Sequence, residues 1–159
     1  QGVYDVRVDT AFEAVIDSCA ENTEDRPKTW INGDIRAIFV ALHEKGFAHS
    51  VECWKDGVLA GGVYGLAIGG FFSGESMFSR RRDASKVALV HLCARLWRGG
   101  FTMLDAQFMN DHLRQFGAYE ISRDVYQKKL QNALPKQTNF IFDQLTESNL
   151  MATYLSDKQ

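Results

Sequence analysis

Residues 48–79 have the sequence AHSVECWKDGVLAGGVYGLAIGGFFSGESMFS. His49 to Trp54 alternate between polar and apolar side chains and lead into Asp56-Gly57, a dipeptide typical of β-hairpin turns. Val58 to Ile68 would return as the partner strand, and a Gly-Gly pair would then turn the chain into a third strand, Phe71 to Ser79. The segment therefore predicts an antiparallel meander of three strands.

Helical periodicity flanks this meander on both sides. Thr10 and Glu13 have the spacing of a capping box, which predicts a first helix from Thr10 to about Asn22. A second helix is predicted from about Gly33 to Lys45, and a third, with a broad apolar face, from Ala84 to Trp97. The first two helices are expected to precede all strands.

The remaining segments complete one domain. Phe101 to Phe108 predicts a fourth strand, buried on both sides except at Asp105 and Gln107, and short helices are expected at Asn110–Gln115 and Asp124–Leu134. This order indicates an α+β (mixed α/β) domain over residues 1–134, built on one central sheet. Residues 135–159 are polar and weakly periodic, so we expect a partly disordered C-terminal tail.

The composition limits the class of protein. The chain has 159 residues, 45% of them hydrophobic, and two prolines, which indicates a packed globular domain. Its three cysteines are widely spaced and form no C-x-x-C pattern, so they predict neither a disulfide framework nor a zinc site and fit a reducing cytoplasm. The longest apolar stretch, Val58 to Phe72, is interrupted by glycines and shorter than the ~20 residues of a membrane span.

Basic residues are concentrated in one part of the chain. Between Ser79 and Gly99 six Lys or Arg residues face a single Asp, a local charge of +5 in a chain whose net charge is −2. Four of them lie around the predicted start of the third helix, where backbone N–H groups favour anions: Arg80, Arg81, Arg82 and Lys86. They predict either contacts with phosphates or a solvated basic surface.

Several short motifs occur in a fixed order along the chain. They are Thr29-Trp30-Ile31, Leu42-His43 with Gly46, Ala48 to Trp54, Gly61 to Gly65, Gly74-Glu75-Ser76-Met77-Phe78-Ser79-Arg80, Ala84-Ser85-Lys86, Leu104-Asp105-Ala106-Gln107, Asn110-Asp111-His112-Leu113 and Phe116-Gly117-Ala118. In this order they resemble the leucyl/phenylalanyl-tRNA–protein transferases, from about Val8 to about Leu130. The family's tryptophan-rich N-terminal domain is missing and the chain starts at Gln1, so we expect a fragment or short form.

The resemblance implies a fold and an activity. The fold would be the GNAT-type acyltransferase fold, a mostly antiparallel central sheet flanked by helices. The activity would be transfer of Leu, Phe or Met from aminoacyl-tRNA to the N-terminal α-amino group of proteins that begin with Arg or Lys. This reaction tags proteins in the cytoplasm for the N-degron pathway, and it implies no metal, cofactor or membrane.

The same resemblance assigns catalytic residues. Asp105 would hydrogen-bond the attacking amine, and Gln107 would orient Asp105 or the substrate carbonyl. On a strand these two side chains would share one face. A carboxylate is a weak base towards an ammonium ion, so we expect Asp105 to act mainly by positioning. The alternative is that Asp105 satisfies backbone groups at the end of a strand.

Substrate-binding residues follow from the same motifs. Glu75, with Ser76 beside it, would recognise the cationic N-terminal residue of the acceptor; the alternative for Glu75 is a buried ion pair with Lys86 or an arginine. Trp30 would stack on the terminal adenine of the tRNA or pack in the core. Apolar residues would line a pocket for the transferred side chain, or only pack in the core: Met77, Val63, Leu104 and Phe78.

Two other functions remain open. One is a small-molecule N-acetyltransferase of the same fold, whose turn before the third helix would carry glycines that approach the pyrophosphate of coenzyme A. Ser79 to Lys86 contain no glycine, which disfavours a coenzyme A-dependent N-acetyltransferase. The other is a non-catalytic module that binds tRNA or a peptide.

Overall fold

The computed structural model describes residues 3–21, 29–107 and 111–158 and contains one five-stranded sheet in the order β1-β2-β3-β4-β5. Strands β1 to β4 are antiparallel neighbours, and β5 runs parallel to β4. The elements are β1 Asp5–Val8, α1 Phe12–Ala20, α2 Gly33–Glu44, β2 Ala48–Lys55, β3 Val58–Ile68, β4 Phe71–Ser79, α3 Ala84–Arg98, β5 Met103–Asp105, α4 Asp111–Gln115, α5 Arg123–Ala133 and α6 Glu147–Asp157. The predicted α+β class and mostly antiparallel sheet are confirmed.

The predicted meander is present as β2, β3 and β4. Asp56 and Gly57 both have positive φ angles, 53° and 76°, as expected for a tight hairpin turn. At the next turn Gly69 has φ 54°, and a Cβ there would lie 2.0 Å from the carbonyl oxygen of Leu134. Only glycine fits this turn, because the backbone after α5 passes directly over it.

A strand that the sequence analysis missed, β1, precedes α1 and pairs with β2. The predicted capping box is also wrong, because the side chain of Thr10 binds Glu52 instead of capping α1. The fully buried carboxylate of Glu52 also accepts hydrogen bonds from the backbone N–H groups of Thr10 and Ala11, at 2.9 and 2.8 Å. A distant buried carboxylate therefore fixes the two residues that precede α1.

Helices cover both faces of the sheet. Because neighbouring residues of a strand point to opposite faces, Val63 of β3 packs in the cluster that contains α3, and Tyr64 packs in the cluster that contains α1. Helices α2 and α3 have nearly the predicted bounds. The expected helix end at Asn22, the strand end at Phe108 and the helix start at Asn110 lie outside the described residues.

The last strand differs from its prediction. β5 comprises only Met103–Asp105 and lies at the edge of the sheet, where Leu104 is 37% exposed. Gln107 follows the strand in the left-handed region, with φ 62°. Asp105 and Gln107 therefore do not share a strand face, because the chain leaves the sheet between them.

Residues 135–158 pack against the domain, which differs from the partly disordered tail that we expected. Phe140 is 5% exposed, and α6 packs on α3. The buried guanidinium of Arg95 donates to the carboxylate of Glu147 and, at 2.8 Å, to the carbonyl oxygen of Phe140. The packing of this segment was not predicted because its apolar residues are widely spaced and show little periodicity. The domain boundary at Leu134 stays a prediction.

No helix in the described ranges is both long and apolar enough to cross a membrane.

Candidate active site

A cleft of about 1150 Å³ opens beside β4 and β5 and is bounded on its other sides by α3 and by the chain from Leu113 to Lys129. Of the nine residues with predicted catalytic or substrate-binding roles, all but Phe78 line it: Trp30, Val63, Glu75, Ser76, Met77, Leu104, Asp105 and Gln107. These eight residues come from four separate segments of the chain and meet in one place.

The sheet itself creates this cleft. β5 pairs only with Phe71–Ser73 of β4, and its last residue, Asp105, lies opposite Ser73. Beyond Ser73, β4 has no neighbouring strand on that side among the described residues, and the opening lies along Gly74 to Met77. A register shift between β3 and β4 also leaves Glu75 without a partner on β3. Such bulges redirect a side chain, and here the redirected side chain is a carboxylate in the cleft.

Hydrogen bonds connect the polar side chains of the cleft. Asp105 Oδ1 accepts from the backbone N–H of Gln107 at 2.8 Å, and Oδ2 accepts from the hydroxyl of Tyr126 at 2.8 Å. The side-chain amide of Gln107 donates to Ser73 Oγ at 3.2 Å, and Ser73 Oγ donates to Glu75 Oε1 at 2.8 Å. The two carboxylates thus belong to one network.

The structure separates the alternative interpretations of the two carboxylates. Asp105 does satisfy one backbone group, the N–H of Gln107, but its second oxygen binds a side chain of the cleft. Within the described residues Glu75 forms no ion pair, and Lys86 instead lies 2.9 Å from Asp83. The described residues therefore give no support to the ion-pair alternative for Glu75, and the catalytic and recognition roles stay predictions.

The apolar part of the cleft contains Val63 and Met77 together with leucines of α3 and α4, Leu89, Leu92 and Leu113. Phe78 does not belong to it, because this side chain is buried in the cluster around α1. Trp30 is 48% exposed at the cleft, so the alternative that it packs in the core is wrong.

Two polar residues of the network were missed by the sequence analysis, Ser73 and Tyr126. Burial and, in addition, the hydrogen bond to the charged Asp105 raise the pKa of Tyr126 to about 12. Its hydroxyl is therefore protonated at neutral pH and can act as a donor. Only the strand register, which places Ser73 opposite Asp105, could have indicated that Ser73 belongs to the site. No local sequence pattern marks Tyr126.

The basic residues form a separate surface at the start of α3 and do not line the cleft. Arg80 lies 2.6 Å from Glu21, and the side chain of Asp83 is contacted by Arg82 at 3.5 Å and by Lys86 at 2.9 Å. The hydrogen bond from Lys86 lowers the pKa of Asp83. Arg81 is exposed and, in the part of the chain that is described, has no carboxylate partner. Arg95 is buried, so it contributes nothing to this surface.

Comparison with solved structures defines the class of fold. The ribosomal-protein-alanine N-acetyltransferase of Brucella melitensis biovar Abortus 2308 superposes with a TM-score of 0.52 at 14% identity, covering 76% of this chain and 96% of that protein. The predicted GNAT-type fold is thereby confirmed.

Comparison of sequences gives the family. Residues 1–131 match the leucyl/phenylalanyl-tRNA protein transferase family, and the chain belongs to it. It is 62% identical over 137 residues to the leucyl/phenylalanyl-tRNA–protein transferase of Paramagnetospirillum magneticum and 56% identical over 137 residues to that of Phenylobacterium zucineum. Each match covers 86% of this chain but only 66% and 62% of these relatives, so the chain spans less than two thirds of their length.

Proposed function

We propose that this chain transfers Leu, Phe or Met from aminoacyl-tRNA to the N-terminal amine of proteins that begin with Arg or Lys, in the cytoplasm and as a tag for the N-degron pathway. The observation that carries this proposal is the single cleft that joins two carboxylates, an apolar wall and a half-exposed tryptophan. Membership of the transferase family supports tRNA and protein as the two substrates.

Glu75 is the proposed contact for the acceptor's cationic side chain. Its carboxylate lies in the cleft, and Ser73 holds one of its oxygens at 2.8 Å. Because no cation within the described residues pairs with it, a guanidinium or ammonium group of the acceptor can do so. Such a charge-assisted contact would favour Arg or Lys over a neutral residue at the acceptor's N-terminus.

The proposed reaction forms an amide and breaks an ester. The neutral α-amine attacks the ester carbonyl of the aminoacyl-tRNA, the new C–N bond forms, the C–O bond to the ribose breaks, and a proton passes from the amine to the departing ribose oxygen. Asp105 would accept an N–H hydrogen bond from the attacking amine and so align its lone pair. Gln107, whose side-chain amide donates a hydrogen bond to Ser73 and so stays beside Asp105, would orient the carbonyl.

The transferred side chain would lie against Val63, Met77 and Leu92, and Trp30 would stack on the terminal adenine. An apolar pocket distinguishes one methylene by only ~1–3 kcal/mol, so acceptance of Leu, Phe and Met together is expected. The basic residues Arg80 to Arg82 would contact phosphates of the tRNA.

The geometry disfavours coenzyme A as the acyl donor. In addition to the absence of glycine from Ser79 to Lys86, the carboxylate of Asp83 lies at the N-terminus of α3, where a pyrophosphate would have to bind. Like charges at this position would repel each other.

The proposal is tested by incubating the chain with radiolabelled leucyl-tRNA and two peptides that differ only in an N-terminal Arg or Ala. Labelling of the Arg peptide alone is expected. Equal labelling of both peptides would contradict the assigned acceptor specificity, and no labelling of either would contradict transfer by this chain.

A further inference from the structure

α5 contributes one side chain to the polar network of the cleft, the hydroxyl of Tyr126. We propose that Tyr126 is a positioning residue, which holds the carboxylate of Asp105 in the orientation required for aminoacyl transfer. The inference rests on the proposed function, because it assigns Asp105 the alignment of the attacking amine.

Asp105 needs a partner from outside its own strand. It is the last of three residues in β5, an edge strand, and it is only half-buried. The backbone N–H of Gln107 fixes one carboxylate oxygen, but this donor belongs to a residue in the left-handed region just beyond the strand. A single local donor leaves the carboxylate free to rotate about its χ angles, whereas a second donor on the other oxygen fixes both.

Tyr126 can supply that second donor because α5 is anchored at both ends. At the N-terminus Ser122 caps the helix through a hydrogen bond from the N–H of Val125, so Tyr126 lies in a fixed first turn. At the C-terminus the carbonyl oxygen of Ala133 accepts from the N–H of Gly70 at 2.8 Å. Gly70 lies at the turn from β3 to β4, so the sheet that carries Asp105 also holds the helix that carries Tyr126.

The chemistry of the pair fits positioning and not proton transfer. The Tyr126 hydroxyl donates to Asp105 Oδ2 at 2.8 Å. Burial and, in addition, this contact raise the pKa of Tyr126 to about 12, so the phenol keeps its proton. Each carboxylate oxygen retains a lone pair, and Asp105 can therefore accept one more hydrogen bond from the substrate amine.

Transfer kinetics of Tyr126→Phe test the inference. Loss of one hydrogen bond to a charged group should lower kcat by roughly 10- to 100-fold. KM for the Arg peptide should stay within about twofold of wild type, because the proposed contact for the acceptor's cationic side chain is Glu75 and not the phenol. Tyr154→Phe on α6 removes the same hydroxyl outside the cleft and should keep the wild-type rate.

Two results would overturn the inference: an unchanged kcat in Tyr126→Phe, whether or not KM rises, or an equal loss of kcat in Tyr154→Phe. A double-mutant cycle with Asp105→Asn adds a result that a loss of stability alone would not give. In an Asp105→Asn background the further loss from Tyr126→Phe should shrink to within about threefold, because the residue acts through Asp105.

A readout that needs no activity separates failure of this inference from failure of the proposed function. The ¹³C resonance of the Asp105 side-chain carboxyl, assigned by its absence in Asp105→Asn, should move in Tyr126→Phe and stay in place in Tyr154→Phe. A resonance that stays in place in both variants would show that Tyr126 does not hold Asp105, whether or not the wild-type chain transfers leucine.

Discussion

Replacement of Phe140 by Ala should destabilise the domain strongly, because this residue anchors the C-terminal segment in the core. The ring is 5% exposed and stacks on His49, with 4.1 Å between ring centroids and 13° between planes, and on Phe72, with 5.7 Å and 12°. The guanidinium of Arg95 lies 5.6 Å from its centroid. Truncation of such a buried Phe costs about 3–5 kcal/mol.

This loss is measurable in a domain of ordinary stability. At roughly 2–4 °C per kcal/mol for a chain of this size, Tm should fall by roughly 6–20 °C. Guanidinium chloride unfolding followed by circular dichroism should show a lower midpoint with an unchanged slope. The neighbouring Ile141 is 41% exposed, so Ile141→Ala is the matched control and should change stability by no more than about 0.5 kcal/mol.

If Phe140→Ala and Ile141→Ala lowered stability equally, or if Phe140→Ala cost less than about 1 kcal/mol, residues 135–158 would not pack as described.

Three further substitutions test other parts of the account. Burial alone would raise the pKa of Glu147, but the hydrogen bond with His91 and the charge of Arg95 lower it below the ordinary 4.5. Glu147→Gln should therefore cost about 3 kcal/mol at pH 7, and the difference from wild type should shrink as the pH falls below about 4.5, whereas a constant difference down to pH 3 would refute the ion pair. Replacing Arg80 to Arg82 by Ala should reduce the slope of log K against log salt for tRNA binding by roughly 2, while Lys45→Ala leaves it unchanged; an unchanged slope in the triple variant would place the tRNA elsewhere. Glu75→Gln should raise KM for the Arg peptide by about tenfold or more and leave an Ala peptide unaffected, and equal effects on both peptides would remove Glu75 from acceptor recognition.

Local patterns predicted the elements whose signals are local. The meander carried its own turn residues, and α2 and α3 carried their own periodicity, so their bounds came out nearly as expected. The capping box at Thr10 failed because Glu52, 42 residues away in sequence, competes for the same groups. β1 was missed because its four exposed or half-exposed residues form too weak a pattern. Its hydrogen-bonded pairing with β2, which stabilises the strand, is not visible in the local sequence.

The same distinction between local and long-range signals holds for the residues of the candidate site. The sequence motifs led to nine predicted cleft residues, and the fold brings all of them except Phe78 together. Ser73 and Tyr126 were missed because their contacts join distant segments: Ser73 binds Gln107, 34 residues away, and Tyr126 binds Asp105, 21 residues away. The left-handed backbone of Gln107 was likewise not predictable, because non-glycine residues seldom adopt it.

The central claim is that Asp105 in this cleft promotes aminoacyl transfer, and the most direct test compares the wild-type chain with Asp105→Asn. Leucine transfer to the Arg peptide should be measured in a single turnover at saturating leucyl-tRNA, together with tRNA affinity. We expect the rate to fall by about 100-fold or more, since the amine loses its charged partner, while tRNA affinity stays within about twofold. Equal rates in the two proteins would contradict the account.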